Sequence, residues 1–243
     1  MARQSATRWL SRVPVRTIVL GALFPIGVAV AGIIYGATRA PPPPCLTPDP
    51  ALQGERALEA PPCPGVIDPS TRYVAVIETT MGTIRFELLP QIAADTVNNF
   101  VFLARNGFYD GLRFHRIEST DTYAYVQTGD PTGGGKGNAG YTYEGETPSP
   151  ITLYIRGSVA MANTGDPSSN SSQFFIVVHD WDELGPPEAT PNYTWFGAVD
   201  DPESLATLDR IAAVPTEGTR PLEDVVIRRV TIVEPQANGV PGS

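Results

Sequence analysis

Tyr73–Leu89 reads YVAVIETTMGTIRFELL. Tyr73–Thr79 is rich in β-branched and aromatic residues, Met81-Gly82 supplies a turn, and Thr83–Leu89 alternates apolar with polar side chains. The stretch therefore reads as a β-hairpin, and the same texture continues downstream. Further strands are expected at Arg113–Ile117, Tyr125–Thr128, Ser158–Met161, Gln173–Val178, Tyr193–Val199 and Val225–Val233. Two helices interrupt them. Near Ile92–Asn106, the side chains of Val97, Phe100, Val101 and Ala104 share one face, and Gly107 follows as a C-cap. Over Pro202–Val214, Asp201 is the expected N-cap, Pro202 the first helical residue, and Leu205, Leu208 and Ile211 the buried stripe. About eight strands and two helices in roughly 165 residues, joined by long glycine-rich loops, predict a mainly β fold. The expected form is a closed eight-stranded antiparallel barrel capped by two α-helices.

The chain before this region has a different character. Residues 17–38, TIVLGALFPIGVAVAGIIYGAT, carry no charged side chain. At ~1.5 Å per residue the run is long enough to cross a hydrocarbon core of ~30 Å. Arg3, Arg8, Arg12 and Arg16 precede it and only Arg39 follows closely, which places the N-terminus in the cytoplasm and the remainder outside. A cleaved signal peptide is the competing reading. The run exceeds the apolar stretch of such a peptide, and Thr38-Arg39-Ala40 before Pro41 makes a poor cleavage site, so an uncleaved anchor is preferred. Residues 39–71 follow as a linker, with ten prolines between positions 41 and 71, a composition that favours an extended, semi-rigid segment. The expected organisation is a basic cytoplasmic segment 1–16, a transmembrane helix 17–38, the linker 39–71, the β domain 72–235 and a flexible tail 236–243.

Charge narrows the choice of partners. Residues 1–40 hold five arginines and no acid, so the other 203 residues carry 12 basic and 26 acidic groups, a net of −14. A domain this acidic repels phosphate backbones, which argues against nucleic acid. Cys45 and Cys63 are the two cysteines. In an oxidising compartment they would have the opportunity to pair, while free thiols in a flexible linker is the other reading.

Familiar reaction centres are missing from the sequence. There is no HExxH, no cysteine cluster and no GxSxG elbow, and the histidines are His115 and His179 alone. Gly133–Gly137 superficially resembles a phosphate loop but has Gly137 where Ser or Thr is required, and it reads as a flexible loop. What remains is a set of polar and aromatic residues with no nucleophile, metal site or cofactor site. Rotation about the peptide bond before proline suits that inventory. It breaks no covalent bond, has a barrier of ~18–20 kcal/mol, and needs an apolar pocket, backbone hydrogen bonds and a cation that favours the twisted amide.

At this point particular segments resemble one family. Phe114-His115-Arg116-Ile117, Gln127-Thr128-Gly129-Asp130-Pro131, Val159-Ala160-Met161-Ala162-Asn163, Asn170-Ser171-Ser172-Gln173-Phe174-Phe175-Ile176 and Tyr193-Thr194-Trp195-Phe196-Gly197 are similar, in order, to five motifs of the cyclophilins. The likeness runs from about Tyr73 to Glu234. It implies a peptidyl-prolyl cis-trans isomerase with Arg116 as the catalytic cation. Gln127 and Gln173 would bond the substrate backbone, and Ala162 and Asn163 would meet the residue before proline. Phe175 would floor the proline pocket, with Leu184 on its wall, and Tyr193 falls where the family has His or Tyr. Two departures are visible. The segment Glu118–Val126, ESTDTYAYV, is a few residues longer than usual and puts Tyr125 where the family has Met, giving a more polar wall. An insertion, DELGPPEATPN, separates Trp181 from Tyr193, with Trp181 near enough in sequence to fill the gap.

Two functions follow as expectations. The first is an isomerase acting on Xaa-Pro bonds of exported or membrane proteins, anchored in the cell membrane with its catalytic domain outside. The second is a catalytically weak module that binds proline-containing segments as a chaperone or assembly factor. Retention of Arg116, Asn163, Gln173 and Phe175 favours the first, and the longer Glu118–Val126 segment favours the second.

Overall fold

The expected hairpin forms as Tyr73–Thr79 (β1) and Gly82–Leu88 (β2), paired from Tyr73↔Leu88 to Thr79↔Gly82. It belongs to a computed structural model that describes residues 45–120, 123–146, 154–181 and 193–234. The elements that follow are Ala94–Arg105 (α1), Arg116–Ser119 (β3), Ala124–Thr128 (β4), Ser158–Met161 (β5), Phe174–His179 (β6), Trp195–Ala198 (β7), Pro202–Ala212 (α2), the short pair Thr216–Glu217 (β8) and Arg220–Pro221 (β9), and Ile227–Val233 (β10). Eight strands form one antiparallel sheet in the order β10-β1-β2-β7-β5-β6-β4-β3. No helix among the described residues is long and apolar enough to cross a membrane; the run 17–38 lies outside those residues.

The sheet is open, which corrects the closed barrel expected from the strand pattern. The edge strands β10 and β3 do not pair as a ladder. The gap is spanned by the segment just before β3, where Phe114 N–H donates to Val225 O at 2.9 Å and Ile227 N–H to Leu112 O at 2.8 Å. These bonds also delay the start of β3 to Arg116, three residues later than Arg113, the first residue of the expected strand. The outer edge of β3 meets the β8–β9 turn instead of β10, with Ile117 N–H donating to Thr219 O at 2.8 Å. Covering an edge with a loop and placing proline at an edge are both ways of blunting it.

The main core lies on one face of the sheet and is centred on Phe100 of α1. Its ring centroid is 5.1 Å from Tyr109, 5.3 Å from Phe196, 5.5 Å from Phe174 and 5.7 Å from Phe86. Helix α2 starts as the sequence suggests, with the Asp201 carboxylate accepting from Ser204 N–H at 2.9 Å. Its buried stripe differs from expectation. Leu208 and Ile211 are fully buried, but Leu205 is only partly so, and Ser204 and Thr207 take buried places. They can do so because Ser204 Oγ accepts from Arg85 N–H at 2.8 Å and Thr207 Oγ1 donates to Glu203 O at 3.0 Å.

Residues 45–71 form a strap on the domain, which corrects the extended linker read from their prolines. Cys45 and Cys63 are joined by a disulfide, and Cys63 N–H donates to Leu46 O at 2.7 Å. Leu58, Ala60 and Ile67 are buried, and Leu58 and Ile67 join the main core. Asn98 of α1 bonds Cys63 O and Val66 N–H, and Arg56 donates to Asp110 O while lying over the Phe108 ring. Leu58 N–H donates to Ala139 O at 2.7 Å. Prolines do not prevent docking when apolar residues between them find a core.

Leu58→Ala should lower unfolding free energy by about 2–5 kcal/mol in urea titrations, whereas a leucine in a free linker would leave stability unchanged. Asp201→Ala should cost about 1 kcal/mol near neutral pH. Burial raises the Asp201 pKa, but the Ser204 hydrogen bonds and Arg85 outweigh it and leave the pKa below its usual value. A depressed folded-state pKa gives stability that is present above the unfolded value of about 4 and is lost as pH falls through the folded value. The difference between parent and variant should therefore shrink on acidification, as followed by thermal melts across pH.

Candidate active site

Successive residues of a strand point to opposite faces, and the central strands here use both faces. Along β6, Phe174, Ile176 and Val178 enter the main core, while Phe175 and Val177 join a second apolar cluster with Tyr125, Tyr154, Ala160 and Trp181. The register lines up one row across four strands on this second face. Arg116 is opposite Gln127, Gln127 opposite Phe175, and Phe175 opposite Ala160. Above the row lies a cleft of about 330 Å³.

One half of the cleft is aromatic. Phe175 stacks on Trp181 with centroids 5.2 Å apart and planes at 5°, and meets Tyr193 edge-on at 4.9 Å and Tyr125 at 5.4 Å. Tyr193 is held through its backbone. The Tyr154 hydroxyl donates to Tyr193 O at 2.7 Å and accepts from Tyr193 N–H at 3.1 Å. The Trp181 indole N–H is buried without a hydrogen-bond partner among the described residues.

The other half is polar. Gln127 Nε2 donates to Gln173 Oε1 at 2.8 Å, and Gln173 Nε2 donates to Gly137 O at 2.7 Å. The two amides are thus tied to each other and to the glycine-rich loop, and each keeps capacity for a further bond. The loop read as flexible has a defined path. Asp130 Oδ1 accepts from Thr132 N–H at 2.7 Å and from its hydroxyl at 2.8 Å. A Cβ on Gly137 would lie 2.0 Å from that same oxygen, so a larger residue there would displace the Asp130 carboxylate that braces the loop. Gly129 is under a second constraint, with φ +90° and a Cβ position 2.2 Å from Ser172 O. Behind the loop, Ser171 Oγ accepts from Ala139 N–H at 3.0 Å, and Leu58 of the strap bonds the same residue's carbonyl.

Arg116 stands at one end of the row. Its side chain is 44% exposed and its guanidinium lies over the Tyr125 ring. Burial works against its charge, but hydrogen bonding and attraction to Glu118, with Tyr125, outweigh that and raise its pKa. Burial also raises the pKa values of Tyr125 and Tyr193, against the opposing pull of Arg116. The His115 imidazole, adjoining Arg116 beneath the loop, is pushed below its usual range by burial despite Asp130.

The structure brings Arg116, Tyr125, Gln127, Ala162, Asn163, Gln173, Phe175 and Tyr193 to this one cleft. Leu184 lies outside the described residues. Trp181 occupies the wall against Phe175, the place its nearness in sequence suggested. Sequence reasoning missed Tyr154, whose hydroxyl clamps Tyr193, because nothing local links two residues so far apart. It also missed Glu118 as a partner of Arg116, and the polar lining formed by Lys136, Asn138, Ser169 and Ser171.

With this geometry in view, the chain belongs to the cyclophilin type peptidyl-prolyl cis-trans isomerase/CLD family, which it matches over residues 74–232. It is 36% identical over 181 residues to a probable peptidyl-prolyl cis-trans isomerase B of Mycobacterium tuberculosis, covering 68% of this chain and 56% of the relative. It is 36% identical over 174 residues to a probable peptidyl-prolyl cis-trans isomerase A of Mycobacterium leprae, covering 65% of this chain and 91% of the relative. The chain therefore spans little more than half the length of the first of these. Among solved structures, it resembles a cyclophilin type peptidyl-prolyl cis-trans isomerase of Cryptosporidium parvum with a TM-score of 0.57 and 29% identity, covering 67% of this chain and 98% of that one. The same parasite protein in the presence of the dipeptide Ala-Pro gives a TM-score of 0.56.

The charge states give a test. Arg116 stays cationic, Tyr125 and Tyr193 stay neutral, and His115 is already neutral near pH 7. Turnover at this cleft should therefore be flat between roughly pH 7 and 9. A limb inside that window, measured as kcat/KM against pH, would assign the key step to a different group.

Proposed function

We propose that this domain accelerates cis-trans exchange of Xaa-Pro peptide bonds. The observation that carries the reading is the cross-strand row that brings a permanently charged guanidinium, the Gln127 amide and an aromatic floor to one cleft, with the Gln173 amide bonded to that of Gln127. Phe175, walled by Tyr125, Trp181 and Tyr193, suits a proline ring. Gln127, Gln173 and Asn163 suit the flanking backbone. As the amide twists, its nitrogen loses conjugation and its lone pair becomes an acceptor, which Arg116 is placed to meet. Interactions gained only in the twisted state lower the barrier. The Ala-Pro dipeptide named with the parasite neighbour is of the same ligand class.

The setting follows from the rest of the chain. Residues 17–38 anchor the protein in the cell membrane with the basic N-terminus inside, and the domain acts outside on proline-containing segments of exported or membrane proteins. The Cys45–Cys63 disulfide suits an oxidising compartment. A reporter that folds only outside the cytoplasm, fused after Ser243, should be active in cells; activity confined to a cytoplasmic reporter would reverse this topology.

A second reading is a proline-segment-binding module with little turnover. It is favoured by the engagement of Arg116 with Glu118, which occupies donors that the reaction, but not binding of the ring, would use. Exchange spectroscopy on Ala-Pro peptides separates the two. The parent should accelerate exchange, and a folded Arg116→Ala variant should lose roughly a hundredfold. Peptide binding by a folded parent with no acceleration would establish the binding module instead.

A further inference from the structure

One acidic side chain on the cleft face has no role in the isomerase reading above. Glu118 is two residues from Arg116 on β3, hence on the same face, and is opposite Tyr125 just as Arg116 is opposite Gln127. A single carboxylate oxygen, Oε2, accepts from Arg116 Nη2 at 2.7 Å and from Nε at 3.1 Å. The Glu118 side chain is 17% exposed against 44% for Arg116, so the acid is the more firmly seated partner. Arg116 Cζ meanwhile lies 5.4 Å from the Tyr125 ring centroid. One edge of the guanidinium is thus bound to Glu118 and one face rests on Tyr125. The donors left over are those of Nη1 and the remaining hydrogen of Nη2.

We infer that Glu118 is a positioning residue for the isomerase reaction, fixing Arg116 so that its Nη1 edge is the one presented to a twisted amide. The inference rests on the isomerase reading. Two effects of Glu118 oppose each other. Its charge reduces the positive potential of Arg116, and its hydrogen bonds remove the freedom of a long side chain beside an open cleft. The first effect is weakened by water and salt, because the arginine is partly exposed. The second is severe if lost, since small misplacements of a catalytic group cost large factors in rate. Orientation therefore outweighs charge here. Glutamine separates the two effects, because it keeps an acceptor oxygen in place without the charge.

The test uses the full chain in a mild detergent, as the parent, Glu118→Ala and Glu118→Gln. Peptide-exchange kinetics give kcat and KM, and ¹⁵N spectra give solvent exchange of the Arg116 Nε–H. Glu118→Ala should lower kcat about tenfold with KM little changed, the pattern of a lost transition-state interaction. Glu118→Gln should recover most of that loss. The Arg116 Nε–H should be protected in the parent and in Glu118→Gln and exposed in Glu118→Ala, with thermal midpoints close together. Variants that both equal or exceed the parent in kcat would overturn the inference and make Glu118 a brake. A slow Glu118→Ala with a matching loss of thermal stability and unchanged Nε–H protection would overturn it in favour of a structural role. If a folded parent fails to accelerate exchange, the isomerase reading fails on that result. The Nε–H comparison then still decides the positioning, with equal protection in parent and Glu118→Ala contradicting it.

Discussion

A β-strand sends neighbouring side chains to opposite faces, and in the centre of this sheet both faces are apolar. Phe174 completes a core around Phe100, and Phe175, one residue on, floors the cleft. A slip of one residue in β6 would exchange the two. Register is set on both flanks, by β4 through Gln127↔Phe175 and by β5 through Ala160↔Phe175. The site is therefore a by-product of packing on the other face. Its floor cannot shift without removing Phe174 and Ile176 from the core.

Around that floor, the remaining parts are held in layers. The glycine-rich loop is tied to the floor by Gln173, braced internally by Asp130 and supported from behind by Ser171 and by Leu58 of the strap. The strap is itself closed by the Cys45–Cys63 disulfide and seated on α1 through Asn98. A segment that begins far from the cleft in sequence thus reaches the back of one of its walls. The opposite wall depends on Tyr154 and Trp181, which lie on either side of β6 in the chain and meet at 5.1 Å between ring centroids.

What was legible in the sequence was local. The β1–β2 hairpin and the Asp201 cap both follow from spacing within a few residues. The motifs around Arg116, Gln127, Asn163 and Gln173 brought the site residues into view because their order along the chain is distinctive. The rest depended on contacts that spacing does not encode. Leu58 and Ile67 are single apolar residues among prolines, without the periodicity that marks a core element. Whether the sheet closes depends on the 216–221 hairpin meeting β3. Glu118 has the look of a solvated charge until the strand places it beside Arg116.

Electrostatics and packing then assign different tasks to the two halves of the cleft. The aromatic half supplies shape, and the polar half supplies oriented donors whose charge state does not change near neutral pH. Both halves of the cleft act on one proline ring, so a crystal structure of the chain with a bound Ala-Pro-containing peptide is the most direct measurement. The ring should lie against Phe175, between Tyr125 and Trp181, with the Xaa-Pro amide within reach of Arg116. A peptide whose proline ring is bound away from Phe175 would contradict this placement.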